Sequence, residues 1–286
     1  MNNSFTKIAI IGSGTMGSGI AIVFASAGID VNLVDVEKRF LDKGMERIIK
    51  SLDVSVKKEK ITKDERDSIL KRIKPELDLE EATKEIQLIV EAIIEEEESK
   101  KDLFKQLDLL CPDDVIFASN TSAISITRLS SVTKRSDKFI GMHFFNPPTV
   151  MKLVEVIVGS NTAKYTVEKI MNLCKRLGKE PVPSNEAPGF IVNRILWQFL
   201  NESYKLLDYG IAEKENIDKA VKLGLNHPMG PLELSDYIGL DVMLHIGEYL
   251  ANQLGDSYKP ALILQKLVKE GKLGKKTGEG FYDYTK

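Results

Sequence analysis

The segment that most constrains this chain is a glycine-rich turn near its N-terminus. The apolar run at 8–11 predicts a buried strand, and residues 16–27 predict a helix. Between them lie Gly12, Gly14 and Gly17. In this spacing the first glycine permits a tight turn, the second lets the backbone approach a pyrophosphate, and the third lets the helix pack on the strand. The free N–H groups and positive dipole end of that helix favour phosphates.

A second strand, predicted at 31–34, ends in Asp35, which follows Gly17 by 18 residues. A carboxylate that binds a ribose is expected at about this distance. Three glycines alone are also typical of a turn that only packs a helix on a sheet. The order strand, turn, helix, strand and terminal acid predicts a dinucleotide-binding unit instead. The expected cofactor contacts in the turn are Gly12, Ser13, Gly14, Thr15, Met16 and Gly17.

The composition indicates a soluble globular protein. Of its 286 residues, 43% are hydrophobic and 29% are charged, and the net charge of −2 points to neither nucleic acid nor a membrane surface. No apolar run reaches the length of a membrane span, and the N-terminal residues lack the character of a signal peptide. The two cysteines, Cys111 and Cys174, are not spaced as metal ligands. We therefore expect reduced thiols, no metal site and a cytoplasmic protein.

Residues 38–74 follow the second strand, and their apolar spacing predicts a charged helical hairpin. The segment carries 13 Lys and Arg against seven Asp and Glu, a local net charge of +6. Ser51 and Lys58 are seven residues apart and therefore share one helix face, with Arg47 and Lys50 beside it. A solvated surface and a binding site for an anionic ligand, such as the phosphates of a coenzyme, fit this pattern equally well.

The later patterns extend the sheet and then change character. Further strands are predicted at 86–92, 115–119, 138–146, 150–158 and 179–183, with helices at about 99–110 and 163–177. Prolines and polar residues at 181–188 indicate a linker. Helices at about 190–209, 213–223, 231–252 and 260–270 follow, with a short strand-like tail at 280–284. The prediction is an α/β, Rossmann-type doubly wound sheet with a helical-hairpin insertion in residues 1–186, followed by an all-α C-terminal domain in residues 187–286.

His143 is the histidine best placed for chemistry. Oxidising an alcohol with a nicotinamide needs a base, and histidine is the usual one. His245 falls within a helix and His227 in a turn, whereas His143 ends a strand at the edge where open α/β sheets bind ligands. Glu155 lies among aliphatic residues of the next strand. A contact with His143 would compensate its burial and orient the imidazole, while a Glu155 that faces water from an edge strand is the alternative.

Seven blocks in order and spacing make the chain similar to the short-chain L-3-hydroxyacyl-CoA dehydrogenases, among them the bacterial 3-hydroxybutyryl-CoA dehydrogenases. The resemblance runs from Ile8 to Tyr284. The blocks are Ile-Gly-Ser-Gly-Thr-Met-Gly at 11–17, Ala-Ser-Asn-Thr-Ser at 118–122, Gly-Met-His-Phe-Phe-Asn-Pro-Pro at 141–148, Met-Lys-Leu-Val-Glu-Val at 151–156, Ala-Pro-Gly-Phe-Ile-Val-Asn-Arg at 187–194, His-Pro-Met-Gly-Pro-Leu-Glu-Leu at 227–234 and Gly-Lys-Lys-Thr-Gly-Glu-Gly-Phe-Tyr at 274–282.

The resemblance implies a role for each residue at a matching position. His143 would be the general base and Glu155 its orienting partner, while Ser122 and Asn193 would hold the substrate oxygens near the nicotinamide. Asp35 would bind the adenosine ribose. Further cofactor contacts would come from Glu95, Lys100, Ser122, Asn146 and Lys276, and contacts with coenzyme A from Ser51, Lys58 and Ser122. Trp197 and Gln198 depart from the common pattern, and we expect them to affect the fit of the acyl chain or a dimer contact.

The implied activity is the NAD-dependent interconversion of a 3-hydroxyacyl-CoA, such as 3-hydroxybutyryl-CoA, and a 3-ketoacyl-CoA, such as acetoacetyl-CoA. We expect a homodimer that associates through the C-terminal domain. Asp35 disfavours the 2′-phosphate of NADP, but Lys38 and Arg39 lie close enough to leave NADPH open. The alternatives are a β-hydroxyacid or sugar-acid dehydrogenase of similar two-domain type and a catalytically silent, crystallin-like structural relative. The basic hairpin favours a CoA thioester, and the complete set of site residues favours catalysis.

Overall fold

The computed structural model describes residues 5–285, which form two compact units. The first unit ends at Ala187 and the second begins at Pro188, one residue beyond the boundary predicted from the sequence. The first unit is a sheet layered with helices, and the second is built from helices. The predicted combination of a Rossmann-type sheet and an all-α C-terminal domain is therefore confirmed.

Eight strands of the described chain form one sheet in the first unit. In chain order they are β1 (Lys7–Ile11), β2 (Asp30–Val34), β3 (Ile73–Glu76), β4 (Leu88–Glu91), β5 (Ile116–Ser119), β6 (Phe139–Phe144), β7 (Leu153–Val158) and β8 (Glu180–Asn185). Across the sheet the order is β3-β2-β1-β4-β5-β6-β7-β8, and only β6 and β7 pair antiparallel. Ligands of such sheets bind outside the carboxyl ends of the strands where the order reverses, here between β1 and β4.

Within the described residues, seven α-helices connect these strands. They are α1 (Thr15–Ser26), α2 (Lys38–Lys57), α3 (Lys63–Arg72), α4 (Leu79–Ala82), α5 (Glu97–Leu110), α6 (Ile126–Ser130) and α7 (Lys164–Arg176). The core forms because β1 is almost entirely apolar and α1 buries residues all round, with Ile20 and Phe24 fully buried. This packing fixes the turn between β1 and α1, which is the turn predicted to bind a dinucleotide.

Two boundaries predicted for the first unit are wrong. The hairpin α2–α3 ends at Arg72 rather than at 74, because Ile73–Glu76 forms β3 and pairs in parallel with β2. Pro75 cannot donate a ladder hydrogen bond, and β3 tolerates it as the edge strand of the sheet. At the other edge, β8 continues to Asn185, so most of the segment predicted as a linker is a strand paired with β7.

The second unit consists of five α-helices around one apolar core within the described residues. They are α8 (Val192–Asp208), α9 (Lys214–Gly224), α10 (Pro231–Ile238), α11 (Leu240–Leu254) and α12 (Leu262–Lys269). The single helix predicted over 231–252 is wrong, because Gly239 adopts φ 111° and divides it. The tail at 280–284 makes an isolated bridge rather than the predicted strand. Trp197, expected near the acyl chain or a dimer contact, is instead fully buried in this core and donates to the Tyr258 carbonyl at 2.9 Å.

Among the described residues, no helix combines the length and the apolar character that a membrane crossing requires.

Candidate functional site

The glycine turn after β1 has the geometry of a phosphate-binding turn. Gly12 adopts φ 103°, and a Cβ there would lie 2.5 Å from the Ala92 carbonyl oxygen at the end of β4. A side chain on Gly17 would collide with the Gly12 carbonyl. By contrast, a Cβ on Gly14 would meet no atom within 4 Å, and no side chain of the described chain caps the N-terminus of α1. The first and third glycines are thus required by packing, while the second borders open space beside the first N–H groups of α1, which have no partner within the helix.

Asp35 is tied to this turn. Its Oδ2 accepts hydrogen bonds from the backbone N–H of Ser13 at 2.8 Å and from the Ser13 hydroxyl at 2.6 Å. Its Oδ1 accepts from the Val36 N–H at 2.8 Å. Because the two oxygens of a carboxylate accept about four hydrogen bonds, Asp35 retains capacity on Oδ1 for a ligand hydroxyl. The structure therefore places the acid and the glycine turn at one edge of the sheet, between the ends of β1 and β2.

The two cations closest to Asp35 in sequence are already paired. Lys38 Nζ lies 2.7 Å from Asp42 Oδ2, and Arg39 Nε lies 2.7 Å from Glu37 Oε2. All four side chains are at least half exposed, so these pairs are weak. They nevertheless direct both cations to carboxylates at the start of α2, Asp42 within the helix and Glu37 just before it.

Glu95 accepts several hydrogen bonds from the loop that follows β5. Its Oε1 accepts from the Thr121 hydroxyl at 2.7 Å, from the Ser122 N–H at 2.7 Å and from the Ser122 hydroxyl at 3.1 Å. Its Oε2 lies 3.2 Å from Lys100 Nζ. Burial alone would raise the pKa of Glu95, but the Lys100 ammonium and the hydrogen bonds from Thr121 and Ser122 lower it below its ordinary value. Glu95 therefore holds Ser122 at the carboxyl ends of β4 and β5 as an ionised acceptor.

Lys100 is enclosed rather than exposed at the site. Its side chain is 1% exposed, and Nζ lies 2.5 Å from Oε1 of Glu91, the last residue of β4. Glu91 is itself fully buried and accepts from the Ser119 hydroxyl at 2.5 Å and from the Ile93 N–H at 2.7 Å. Burial raises the pKa of Glu91, while the Lys100 ammonium acts against that change. Lys100 also contacts Glu95, the more exposed of its two acidic partners. The contact with a cofactor that the resemblance implies for Lys100 stays a prediction.

The structure brings His143 and Glu155 together. β6 and β7 are antiparallel in a register that sets these two residues directly opposite each other. His143 Nδ1 lies 2.7 Å from Glu155 Oε2, and the two side chains are 8% and 1% exposed. β8 pairs with β7, so β7 is not an edge strand, and the alternative in which Glu155 faces water from an edge strand is wrong. Because a carboxylate only accepts, Nδ1 donates and Nε2 carries the lone pair of the neutral ring.

A ring contact and a buried lysine fix the loop between β6 and β7. Phe145 packs its ring against that of His143, with 4.5 Å between the centroids, and Asn146 follows as an exposed residue. Lys179 is buried and donates to the carbonyls of Pro148 at 2.5 Å and Met151 at 2.8 Å. Burial lowers the pKa of Lys179. This contact fixes the loop that carries Asn146 and joins the strands of His143 and Glu155.

Ser51 and Lys58 lie on α2 and at its end. Lys58 is the residue after the last helical position, but its N–H still bonds the Val54 carbonyl at 3.0 Å, so the helical spacing from Ser51 persists. Ser51 is half-buried and Lys58 is exposed. Within the described residues, Lys57, Lys58 and Lys60 form no ion pair, so with Glu59 as the one acid among them this end of α2 carries a net positive charge.

Comparison with known proteins covers nearly the whole chain. Residues 7–187 match the model of the 3-hydroxyacyl-CoA dehydrogenase NAD-binding domain, and residues 189–284 match that of the 3-hydroxyacyl-CoA dehydrogenase C-terminal domain. The chain belongs to the 3-hydroxyacyl-CoA dehydrogenase family.

Individual members of this family are similar over their full length. A 3-hydroxybutyryl-CoA dehydrogenase of Clostridioides difficile is 49% identical over 98% of this chain and 100% of the relative. A probable 3-hydroxybutyryl-CoA dehydrogenase of Bacillus subtilis is 47% identical over 97% of both. The crystal structure of (S)-3-hydroxybutyryl-CoA dehydrogenase from Ralstonia eutropha superposes with a TM-score of 0.95 at 45% identity, covering 99% of this chain and 100% of that one.

Two of the expected site residues, Asn193 and Lys276, belong to the second unit. Asn193 is half-buried in the first turn of α8. Lys276 lies in a 3-10 turn, where Nζ is 2.6 Å from Asp241 Oδ1. Their roles toward a ligand stay predictions.

Sequence reasoning did not single out three residues that the structure places at this edge of the sheet. Glu91 anchors Lys100, the Asn120 side chain accepts from the Phe144 N–H at 2.9 Å, and Ile94 is 67% exposed beside Glu95. A charged last residue on an otherwise apolar strand was the available signal for Glu91. An apolar residue directly before four consecutive acids was the signal for Ile94.

Proposed function

We propose that the protein interconverts (S)-3-hydroxybutyryl-CoA and acetoacetyl-CoA with a nicotinamide dinucleotide. The observation that carries this proposal is the buried His143–Glu155 pair in the same sheet as a phosphate-binding turn. The family supplies the reaction class, and relatives that share nearly half of their residues with this chain carry the name 3-hydroxybutyryl-CoA dehydrogenase.

The residues of the first unit fit a dinucleotide. Gly14 borders open space, α1 offers uncapped N–H groups for a pyrophosphate, and Asp35 has acceptor capacity for a ribose hydroxyl. Val36 and Ile94, which are 85% and 67% exposed, provide apolar surface beside the ends of β2 and β4. When bound, the nicotinamide ring accepts the hydride of the alcohol or donates it to the ketone.

His143 moves the proton of the reaction. In the oxidative direction, Nε2 takes the proton of the 3-hydroxyl group as the hydride leaves C3, so that a C=O bond forms and the imidazole becomes charged. Glu155 holds Nδ1–H and stabilises this imidazolium. In the reductive direction the imidazolium returns the proton to the 3-oxygen. The hydroxyl of Ser122 and the amide of Asn193 are proposed to hold the substrate oxygens.

We propose NAD(H) rather than NADP(H) as the physiological cofactor. A 2′-phosphate would face the Asp35 carboxylate, and the two nearby cations, Lys38 and Arg39, already pair with acids. Coenzyme A is assigned to α2, where Ser51 offers a hydroxyl and Lys58 an unpaired ammonium for its phosphates.

A homodimer is proposed through the C-terminal unit, whose surface carries large exposed apolar side chains. They include Ile195, Tyr209, Ile211, Leu223, Leu225 and Tyr237, each at least 63% exposed. A cytoplasmic location is proposed because Cys111 and Cys174 are separately buried as free thiols. Sedimentation should give a species of about twice the chain mass of 32.0 kDa, and Ile195→Glu should shift it toward the monomer.

The central test is oxidation of NADH by acetoacetyl-CoA, followed at 340 nm. The wild-type protein should be active with the CoA thioester and inactive with free acetoacetate, which separates it from a hydroxyacid dehydrogenase and from a silent structural relative. His143→Gln should lower kcat about a hundredfold or more while circular dichroism stays unchanged. Near wild-type turnover by the folded variant would remove His143 as the base.

The coenzyme A assignment has its own test. Lys58→Ala should raise KM about tenfold for acetoacetyl-CoA but leave it unchanged for a truncated acetoacetyl thioester that lacks the nucleotide. Lys71→Ala, an exposed lysine on α3, serves as the matched charge control. A KM rise of equal size on both substrates would remove Lys58 from phosphate binding.

A further inference from the structure

We infer that the buried Glu91–Lys100 pair holds a net negative charge on Glu95 at the cofactor site, and that this charge favours the oxidised over the reduced nicotinamide. The inference rests on the proposed function only in placing the nicotinamide beside Ser122. It assigns Glu91 and Lys100 as positioning residues that act through Glu95.

The three side chains form one continuous chain of contacts. Glu91 Oε1 lies 2.5 Å from Lys100 Nζ, which lies 3.2 Å from Glu95 Oε2. Glu95 Oε1 in turn accepts from the N–H and the hydroxyl of Ser122. Exposure rises in the same order, from 0% for Glu91 and 1% for Lys100 to 32% for Glu95. The Glu91–Lys100 pair is therefore shielded from solvent, and of the three side chains only Glu95 reaches the surface of the candidate site.

The charges of this chain do not cancel. Every partner of the Glu91 carboxylate donates to it, namely Lys100 Nζ, the Ser119 hydroxyl and the Ile93 N–H, as fits an ionised acid. The ammonium of Lys100 is thus compensated by Glu91, and the charge of Glu95 is left over. Without Glu91, Lys100 would instead neutralise Glu95.

The leftover charge lies where it distinguishes the two cofactor forms. Glu95 follows β4, and Ala92 at the end of that strand donates its N–H to the carbonyl of Ile11, directly before the phosphate-binding turn. Glu95 also holds Ser122 at the end of β5. The oxidised nicotinamide ring carries a positive charge that the reduced ring lacks. A carboxylate close to the ring therefore stabilises the oxidised form, since opposite charges within about 4–6 Å change an equilibrium tenfold or more.

The experiment compares the dissociation constants of NAD+ and NADH, measured by calorimetry and by NADH fluorescence. Glu91→Gln should raise the ratio Kd(NAD+)/Kd(NADH) about tenfold, because Lys100 then neutralises Glu95. Glu95→Gln should raise the ratio to a similar extent by removing the charge itself. Since Glu95 is partly exposed, this second variant keeps the test open if Glu91→Gln fails to fold.

The decisive variant is the double substitution Glu91→Gln with Lys100→Met. It makes the Glu91–Lys100 pair neutral and restores an uncompensated charge on Glu95, so the ratio should return toward the wild-type value. Replacing both members of a buried pair is also better tolerated than removing one. A purely structural role would give no such rescue, because the double variant lacks both native side chains.

A matched control is available on the same helix. Asp108 and Arg135 form another buried pair, with 2.6 Å between Oδ1 and Nε and exposures of 6% and 4%. Asp108 lies eight residues beyond Lys100 on α5, about 12 Å along the axis. Asp108→Asn should lower the melting temperature without changing the Kd ratio. A wild-type ratio in folded Glu91→Gln or Glu95→Gln, or the same change in Asp108→Asn, would overturn the inference.

Failure of this inference is distinguishable from failure of the proposed function. A wild-type protein that reduces acetoacetyl-CoA with NADH, together with variants of unchanged Kd ratio, would refute only the charge effect. A wild-type protein that binds neither NAD+ nor NADH would refute the proposed function first.

Discussion

The two units of this protein bury carboxylates beside different kinds of partner. In the first unit each buried acid faces a basic side chain: Glu91 faces Lys100, Asp108 faces Arg135 and Glu155 faces His143, with separations of 2.5, 2.6 and 2.7 Å. In the second unit, Asp218 and Asp236 are 4% and 1% exposed, and within residues 5–285 neither forms an ion pair. Their oxygens accept only from N–H groups and phenols.

The acids of the second unit close the chain end onto the helices. Asp236 accepts from the N–H groups of Phe281 and Tyr282 at 2.8 Å and from the Tyr284 hydroxyl at 3.2 Å. Asp218 accepts from the N–H groups of Leu232 and Glu233 and from the Tyr282 hydroxyl. Burial raises the pKa of Asp236, in spite of these hydrogen bonds.

At Glu155 the basic partner is expected to serve the reaction, whereas Asp108 pairs with Arg135 away from the candidate site and, like the acids of the second unit, is expected to serve the fold. A basic partner at hydrogen-bonding distance favours the charged carboxylate, and in the His143–Glu155 pair the partner is the imidazole proposed to carry the proton of the reaction. Neutral donors satisfy a buried carboxylate and fix a loop, but provide no group that can exchange a proton near neutral pH.

The largest expected contrast is in turnover. Glu155→Gln should lower kcat with acetoacetyl-CoA about a hundredfold, because the amide neither fixes the Nδ1–H tautomer of His143 nor stabilises the imidazolium. Asp236→Asn, assayed well below its melting temperature, should keep kcat within about twofold. Steady-state kinetics of both folded variants checks this contrast. Equal losses of kcat would mean that the second-unit acids also serve the reaction.

The next largest expected effect is on the free energy of unfolding, and here the acid of the second unit matters. Asp236→Asn should lower the free energy of unfolding by about 2 kcal/mol, since one oxygen becomes an NH2 group that faces a backbone N–H. Urea denaturation measures this loss. Asp256→Asn is the control, because that side chain is 85% exposed and should give the wild-type midpoint. An unchanged midpoint in Asp236→Asn would show that the tail contributes little to stability.

Acidification should act on Glu95 and Asp236 in opposite directions. The pKa of Glu95 lies below its ordinary value of 4.5: burial raises it, but Lys100 and the donors of the Ser122 loop outweigh burial. The stability that this carboxylate contributes is present above that ordinary value and is lost as the pH falls through the folded pKa. The pKa of Asp236 is raised above 3.8 by burial, so its ionisation costs stability that returns as the pH falls through the raised pKa.

Unfolding measured at about pH 7 and about pH 4 therefore tests the comparison. The destabilisation by Glu95→Gln should shrink at the lower pH, because below the ordinary pKa of 4.5 the unfolded chain takes up a proton at Glu95 and the advantage of the folded carboxylate declines. The difference in the free energy of unfolding between the wild-type protein and Asp236→Asn should instead increase, because Asp236 takes up a proton and loses its charge as the pH falls. Changes of the same sign in both pairs would contradict the assignment of the two acids.

The sequence was sufficient wherever a feature depends on neighbouring residues. The apolar run of β1, the glycine spacing and Asp35 lie within 30 residues and are governed by local geometry, so this part of the fold was predicted. The burial of Glu155 was not decided by its own strand, because it depends on β8 covering β7 and on the antiparallel register with β6. The residue pattern suggested a contact with His143 but left a water-facing Glu155 open, and the resemblance to a family then favoured the contact.

Features that join distant parts of the chain were predicted poorly. Trp197 fills the space left by Gly247, 50 residues later, where a Cβ would collide with the indole ring. A sequence pattern records neither the missing side chain nor the ring that replaces it. Glu91 and Lys100 are only nine residues apart, but the acidic run between them looks like a favourable helix start. Their pairing becomes visible only when both are seen to be buried.

The smallest predicted effects come from single phenol groups, and they resolve the tail contacts individually. Tyr282→Phe removes a 2.9 Å hydrogen bond to Asp218 and should cost about 1 kcal/mol, whereas Tyr284→Phe removes a 3.2 Å bond to Asp236 and should cost about 0.5 kcal/mol. Loss of the Tyr284 hydroxyl should also raise the pKa of Asp236 further, because one donor to the ionised form is gone. Thus the Tyr284→Phe variant should regain more stability on acidification than the wild-type protein does. If it regains less, the Tyr284 hydroxyl does not stabilise the Asp236 charge, and N–H groups alone hold the tail.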